Sequence, residues 1–144
     1  MSGYAATAEY GIRLKSQGSF SVELNSLLQL MESLLARRAG WEGVDHMTEK
    51  HRILLVDDEA DNRDMLSRRL QRNGFEIALA ESGEEAVDRI AREPFDLVLL
   101  DSVMPGMNGI DVLKLVRAVH SAEELPIIMV TAITQGDHIA EALD

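Results

Sequence analysis

The chain of 144 residues predicts an α/β fold built on a parallel sheet with helices on both faces. Three observations carry that reading. From Arg52 onward, short apolar runs alternate with amphipathic segments. The runs are nearly all apolar, as in strands buried on both faces. Acidic residues and a threonine hydroxyl fall where the runs stop, and ligands sit at the carboxyl ends of the strands in such sheets.

The elements follow from local pattern. Residues 1–46 form an amino-terminal extension. It opens small-residue-rich, with a short alternating stretch at Tyr10, Ile12 and Leu14. Then "SFSVELNSLLQLMESLLARRAG" predicts a helix over about 21–39, its apolar stripe formed by Leu24, Leu27, Leu28, Met31, Leu34 and Leu35. Arg37 and Arg38 suit its last turn and Gly40 closes it. "WEGVDHMTEK" (41–50) is a linker with Trp41 as its anchor, overlapping the start of the second unit, 47–144.

In that unit Ile53–Val56 is a buried strand, and Asp61–Asn73 a helix with Met65, Leu66 and Leu70 inward, stopped by Gly74. Phe75–Ala80 is a strand. Gly83–Glu93 is a helix carrying Ala86, Val87 and Ile90, ended by Pro94. "FDLVLLD" (95–101) is a further buried strand, Gly109–Val119 a helix with Ile110, Leu113 and Val116 inward, and "PIIMVT" (126–131) another strand. Gly136–Leu143 begins a last helix.

Composition removes several kinds of function. The chain has no cysteine, which excludes disulfides, zinc-thiolate sites, iron–sulfur clusters and thiol catalysis. No apolar stretch approaches the roughly 20 residues that span a bilayer, and the start lacks a signal-peptide pattern. A cytoplasmic protein without membrane contact is expected. The net charge of −11 is uneven: residues 1–46 hold four Lys/Arg against five Asp/Glu, leaving ten against twenty for 47–144. So acidic a body argues against direct nucleic-acid contact, which needs a basic footprint.

The acidic tips ask for a cation. Adjacent carboxylates at a strand end repel by roughly 1 kcal/mol or more per pair. A hard divalent ion such as Mg²⁺ takes several oxygens, one or two of them from carboxylates, and Asp57, Asp58 and Asp101 offer that set. Capping of the next helix by "DDE" is the plainer alternative, but it leaves Asp101 at a second strand end unexplained. His46, His51, His120 and His138 have no ligand spacing.

"LLVDDE", then "LVLLDSVMPGMNG" (97–109), then "IIMVTA" (127–132) resemble, in order and spacing over residues 52–144, the receiver domain of two-component response regulators. The resemblance implies a flavodoxin-like, doubly wound parallel sheet. It implies Asp101 as the phosphoacceptor, taking a phosphoryl group from a histidine kinase to form an acyl phosphate. Asp58 would ligate Mg²⁺ directly and Asp57 mainly through water, with Asp101 and the backbone carbonyl of Val103 completing the protein ligands. Thr131 would be the switch hydroxyl biasing a surface read by a downstream effector protein, and Pro105 and Gly109 would shape the loop after Asp101. Such a protein catalyses its own modification and is not a conventional enzyme. A haloacid-dehalogenase-type phosphatase, the nearest enzymatic rival, wants an aspartate two residues after its nucleophile, where this chain has Val103.

Family members continue with a fifth strand ending in a lysine, an aromatic switch residue and a last helix; this sequence stops at Asp144, ahead of them. A C-terminally truncated receiver is therefore expected, whose open sheet edge favours a homodimer unless the extension covers it. "EYGIRLKSQGSFSVEL" loosely resembles the missing strand, lysine and helix, with Lys15 as the substitute lysine and Tyr10 as the aromatic, although Ser16 replaces the usual proline. Two other readings stay open beside this permuted one. The leucine stripe forms a coiled coil, or "HM" at 46 and 47 marks a junction after a foreign leader. The competing function is a degenerate receiver acting as a phosphorylation-independent interaction module through its amino-terminal helix.

Overall fold

The computed structural model describes residues 10–15, 20–39 and 50–133. Its elements run β1 (Tyr10–Lys15), α1 (Phe20–Ala39), β2 (Arg52–Val56), α2 (Ala60–Arg72), β3 (Glu76–Ala80), α3 (Gly83–Arg92), β4 (Leu97–Asp101), α4 (Gly109–Arg117) and β5 (Ile127–Ile133). The expected helix at 136–143, Trp41, His46 and His138 lie outside the described residues.

The five strands make one sheet in the order β1-β5-β4-β2-β3, every neighbouring pair parallel. Parallel pairing sends all carboxyl ends to one edge, so the chemistry-bearing residues gather there without any long loop. The period of two in each strand splits its side chains between two layers. Leu54, Val56 and Leu100 pack with Ala86 and Ile90 of α3 and Val112 and Val116 of α4. Ile53, Leu55, Leu99 and Ile128 pack on the opposite face with Leu66 and Leu70 of α2.

That second layer also contains α1. Leu24, Leu27, Met31, Leu34 and Leu35 are buried in it, and Leu28 is partly buried against it. Burying five such side chains contributes roughly 10 kcal/mol before the entropy of ordering the helix is subtracted. The whole of β1 pairs with β5, from Tyr10 opposite Ile128 to Lys15 opposite Ile133.

The inward faces differ in detail from the predicted ones. Met65 is 40% exposed, and Ser67 joins Leu66 and Leu70 among the buried residues of α2. On α4 the buried seam runs through Gly109, Val112 and Val116, which leaves Ile110 and Leu113 on its flanks. Both helices meet the sheet along an i, i+4 row, and apolar residues one position away fall to the side of it.

Helix starts follow local chemistry. The Ser82 hydroxyl accepts from the Glu85 N–H at 3.1 Å. Asn108 and Asp111 form a reciprocal capping box, with Asn108 accepting from the Asp111 N–H at 2.9 Å. Gly74, at φ +94°, takes the left-handed turn that ends α2.

Candidate functional site

The site is built on the ends of β2 and β4. Val56 is the last residue of β2, and the next two positions place Asp57 and Asp58 just past the sheet. Asp101 is the last residue of β4, the central neighbour of β2. One carboxylate oxygen from each of the three lies within 4.8 Å of the others. Asp57 and Asp101 are half-buried and Asp58 is exposed, so the cluster opens to solvent on one side.

Backbone donors hold two of the carboxylates. Asp57 Oδ1 accepts from the Glu59 N–H at 2.9 Å, and Asp101 Oδ1 accepts from the Val103 N–H at 3.1 Å. These bonds aim the acids and partly offset their repulsion. They do not balance it. Burial foremost, then the Asp57 charge, pushes the Asp101 carboxyl up to about 8, against the Val103 bond. Asp57 is also raised, chiefly by burial and further by Asp58 and Glu59, against the Glu59 N–H bond and the Arg63 charge. Two neighbouring carboxyls that both resist ionisation mark a place built for positive charge.

The donor set fits a small hard cation. Mg²⁺ holds oxygens at 2.0–2.1 Å, hence up to about 4.2 Å apart across the ion. Adjacent ligands of the octahedron stand about 2.9 Å apart, so carboxylate oxygens within 4.8 Å of one another are near enough to share one ion after closing by up to about 2 Å. Among the described residues, the ligand atoms of the cluster are all carboxylate oxygens.

The loop after Asp101 is pinned tightly. The Gly109 N–H donates to the Ser102 carbonyl at 3.3 Å. A Cβ on Gly109 would stand 2.4 Å from the Asp101 carbonyl oxygen and 2.8 Å from Ser102 Cα. Glycine is therefore required where α4 starts against the end of β4. Gly106 follows Pro105 at φ +74°, and Val103 is 57% exposed at the rim.

Thr131 lies on β5 one position past Val130, which is level with Asp101. Lys15 ends β1 on the same edge of the sheet, in register with Ile133. His51 and His120 sit on separate elements and neither belongs to the cluster.

Arg63 is a contributor that no local motif marks. Its Nη1 donates to the Asp57 carbonyl at 2.7 Å, and its Nη2 lies 4.0 Å from Glu81. A guanidinium six residues after an acid on the following helix reads in sequence as a solvated face. Only the way α2 folds back over β2 turns it inward. The Ser102 hydroxyl, buried beside Asp101 without a hydrogen-bond partner among the described residues, is equally unmarked.

Comparison with known proteins agrees with this arrangement. Residues 53–144 match the response regulator receiver domain family. The chain is 44% identical over 97 residues to the DNA-binding response regulator MtrA of Mycobacterium tuberculosis, covering 67% of this chain and 41% of that protein. It is 43% identical over 82 residues to the transcriptional regulatory protein CpxR of Escherichia coli, covering 57% and 34%. The chain thus spans less than half the length of these relatives.

Among solved structures it resembles the response regulator TrrA of Thermotoga maritima in complex with Mg²⁺-BeF, with 40% identity, TM-score 0.55, and coverage of 65% of this chain and 82% of that one. A response regulator from Chloroflexus aurantiacus gives 38% identity, TM-score 0.57, and coverage of 66% and 76%. With the family's match covering most of the chain, and the acidic triad at the strand ends where the sheet assembles it, this chain belongs to the response regulator receiver domain family.

Proposed function

We propose that the chain is a phospho-receiver: Asp101 accepts a phosphoryl group from the phosphohistidine of a histidine kinase, and the modified site biases a surface read by a downstream effector protein. The observation that carries this is the convergence of Asp57, Asp58 and Asp101 within 4.8 Å at the open edge of the sheet. Receiver domains act with histidine kinases, which supports the donor class.

In the transfer, an Asp101 carboxylate oxygen attacks phosphorus. The new O–P bond forms as the P–N bond to the donor imidazole breaks, and the imidazole keeps the electron pair and takes up a proton. Asp101 reacts only as the carboxylate. Its raised pKa means that neutralising charge must be present for it to be ionised at neutral pH. Mg²⁺ held by Asp57, Asp58, Asp101 and the Val103 carbonyl would supply that neutralisation and a template for the phosphoryl oxygens. The Val103 N–H bond to Asp101 Oδ1 holds one carboxylate oxygen and leaves the other for attack. Thr131, one position beyond the level of Asp101, is the hydroxyl suited to hydrogen-bond a phosphoryl oxygen and to report its arrival to the helix faces.

The test is intact mass after incubation with Mg²⁺ and acetyl phosphate. A gain of one phosphoryl is expected, lost on chelation of Mg²⁺ and lost in Asp101→Asn. Modification that survives either change overturns the reading. No gain in the parent leaves a phosphorylation-independent interaction module.

A further inference from the structure

The two acids that follow β2 are joined by one peptide unit, and that unit is held from several sides. A peptide is planar, so the Asp57 carbonyl and the Asp58 N–H turn together. The Asp57 N–H donates to the Ala80 carbonyl at 3.2 Å, which carries the β2–β3 ladder one residue past the end of β2. The Asp57 carboxylate accepts from the Glu59 N–H at 2.9 Å, and the Asp57 carbonyl accepts from Arg63 Nη1 at 2.7 Å. Asp58 is the exposed member of the cluster, so packing does little to fix it. Its direction is set by the peptide that precedes it.

Arg63 reaches that peptide from the first turn of α2, where its own N–H donates to the Glu59 carbonyl at 3.0 Å. Its side chain is only 13% exposed, whereas Arg68, on the same helix, stays 69% exposed beside Asp64. The second nitrogen, Nη2, stands 4.0 Å from Glu81, itself 74% exposed. An ion pair so long and so wet contributes little. The short, charge-assisted bond to the carbonyl is the strong contact, and the planar fork lets one guanidinium meet both the end of β2 and the turn after β3.

Charge alone works the other way. A guanidinium close to a cation site repels the cation, so an Arg63 that acted only through its charge would weaken Mg²⁺ binding. The bond to a carbonyl, rather than to a carboxylate, leaves the acids' oxygens for the ion.

We propose that Arg63 is a positioning residue for the cation site: by holding the Asp57–Asp58 peptide it aims Asp58 at the ion, and it raises Mg²⁺ affinity in spite of its own charge. The assignment rests on the reading of the acidic cluster as a Mg²⁺ site and is independent of phosphoryl transfer.

The test is calorimetric titration of the full chain with Mg²⁺, without any phosphoryl donor, beside denaturant unfolding of each variant. Arg63→Met keeps the apolar stem and removes the bond to the peptide. It should weaken Mg²⁺ binding roughly 10-fold, the low end of the loss seen when a group that orients metal ligands is removed. Arg63→Lys keeps the charge without the fork and should fall between Arg63→Met and the parent. Glu81→Gln should bind like the parent, and so should Arg52→Ala, which loosens the opposite end of the sheet.

Binding by Arg63→Met as tight as the parent's, or tighter as charge alone requires, overturns the assignment. So does an equal loss of affinity in Arg52→Ala, which would mark general loosening. Should Arg63→Met fail to fold, Arg63→Lys decides: weaker binding supports the assignment and parent-like binding overturns it. Absence of Mg²⁺ binding in the parent overturns the cation-site reading and the role of Arg63 with it, an outcome distinct from equal binding by parent and variant, which overturns Arg63 alone.

Discussion

At the amino end of the strands Arg52 donates to Glu93 at 2.8 Å and to Glu76 at 3.3 Å, lies 4.7 Å over the Phe95 ring, and donates its backbone N–H to Asp96 Oδ2. At the carboxyl end Asp57, Asp58 and Asp101 face one another, with the nearby guanidinium of Arg63 bonded to a backbone carbonyl. The carboxyl groups at the two ends show the contrast. Arg89, then Arg52, pull the Glu93 carboxyl down to about 2, whereas burial and Asp57 push Asp101 up to about 8. One sheet therefore carries a charge-matched end that secures the fold and a charge-mismatched end held ready for a cation. The mismatch is the functional signature, because folding alone gains nothing from like charges brought together.

The largest effect should come from the tight approach under the acidic end. Gly109→Ala puts a methyl 2.4 Å from the Asp101 carbonyl oxygen, which should cost about 3 kcal/mol and displace Asp101, read by denaturant unfolding together with phosphoryl uptake. Unchanged uptake at full stability would break the claim that this backbone contact positions the site.

The pH response sharpens the contrast. In the unfolded chain Asp101 loses its proton near 3.8, and in the folded, metal-free chain near 8. Between those values the unfolded state binds fewer protons, so stability falls as pH rises. Melting temperatures without metal should drop by a few °C between about pH 5 and 8. Asp101→Asn should flatten the profile and raise its neutral end, and Mg²⁺ should raise it in the parent alone. Identical profiles in parent and variant would remove the mismatch as a stability term. Glu93 has the opposite sign: its contribution is present above its ordinary range and is lost only as pH falls toward about 2.

Smaller effects test each end separately. Arg52→Ala should lower stability by about 1 kcal/mol through its ion pairs and the Phe95 contact, with phosphoryl uptake unchanged. A loss of uptake would show that the two ends are coupled. Ser102→Ala removes a buried hydroxyl that has no partner among the described residues and should gain up to about 1 kcal/mol; a loss of stability would mean that the hydroxyl is bonded in solution.

Much of the sheet was legible because each cue is local. The apolar runs at 53–56, 97–100 and 127–130 announce strands buried on both faces, and the acids at their ends announce a shared edge. Met65 misled, since its apolar character says nothing of which i, i+4 row meets the sheet. Arg63 and the Ser102 hydroxyl left no sign, as their roles come from contacts between separate elements. The extension stayed ambiguous for the same reason: a leucine stripe specifies that a helix buries one face, without specifying against what.

From its order of residues alone, this protein was determined to be a parallel α/β fold with Asp57, Asp58 and Asp101 at one edge, because strand and helix periodicity act within short stretches; the receiver family followed from the resemblance of three motifs. Only the tertiary structure decided that β1 lies beside β5 and that α1 shares a face with α2. Those placements depend on register and burial between segments more than 100 residues apart in the chain, a distance over which no local pattern carries information.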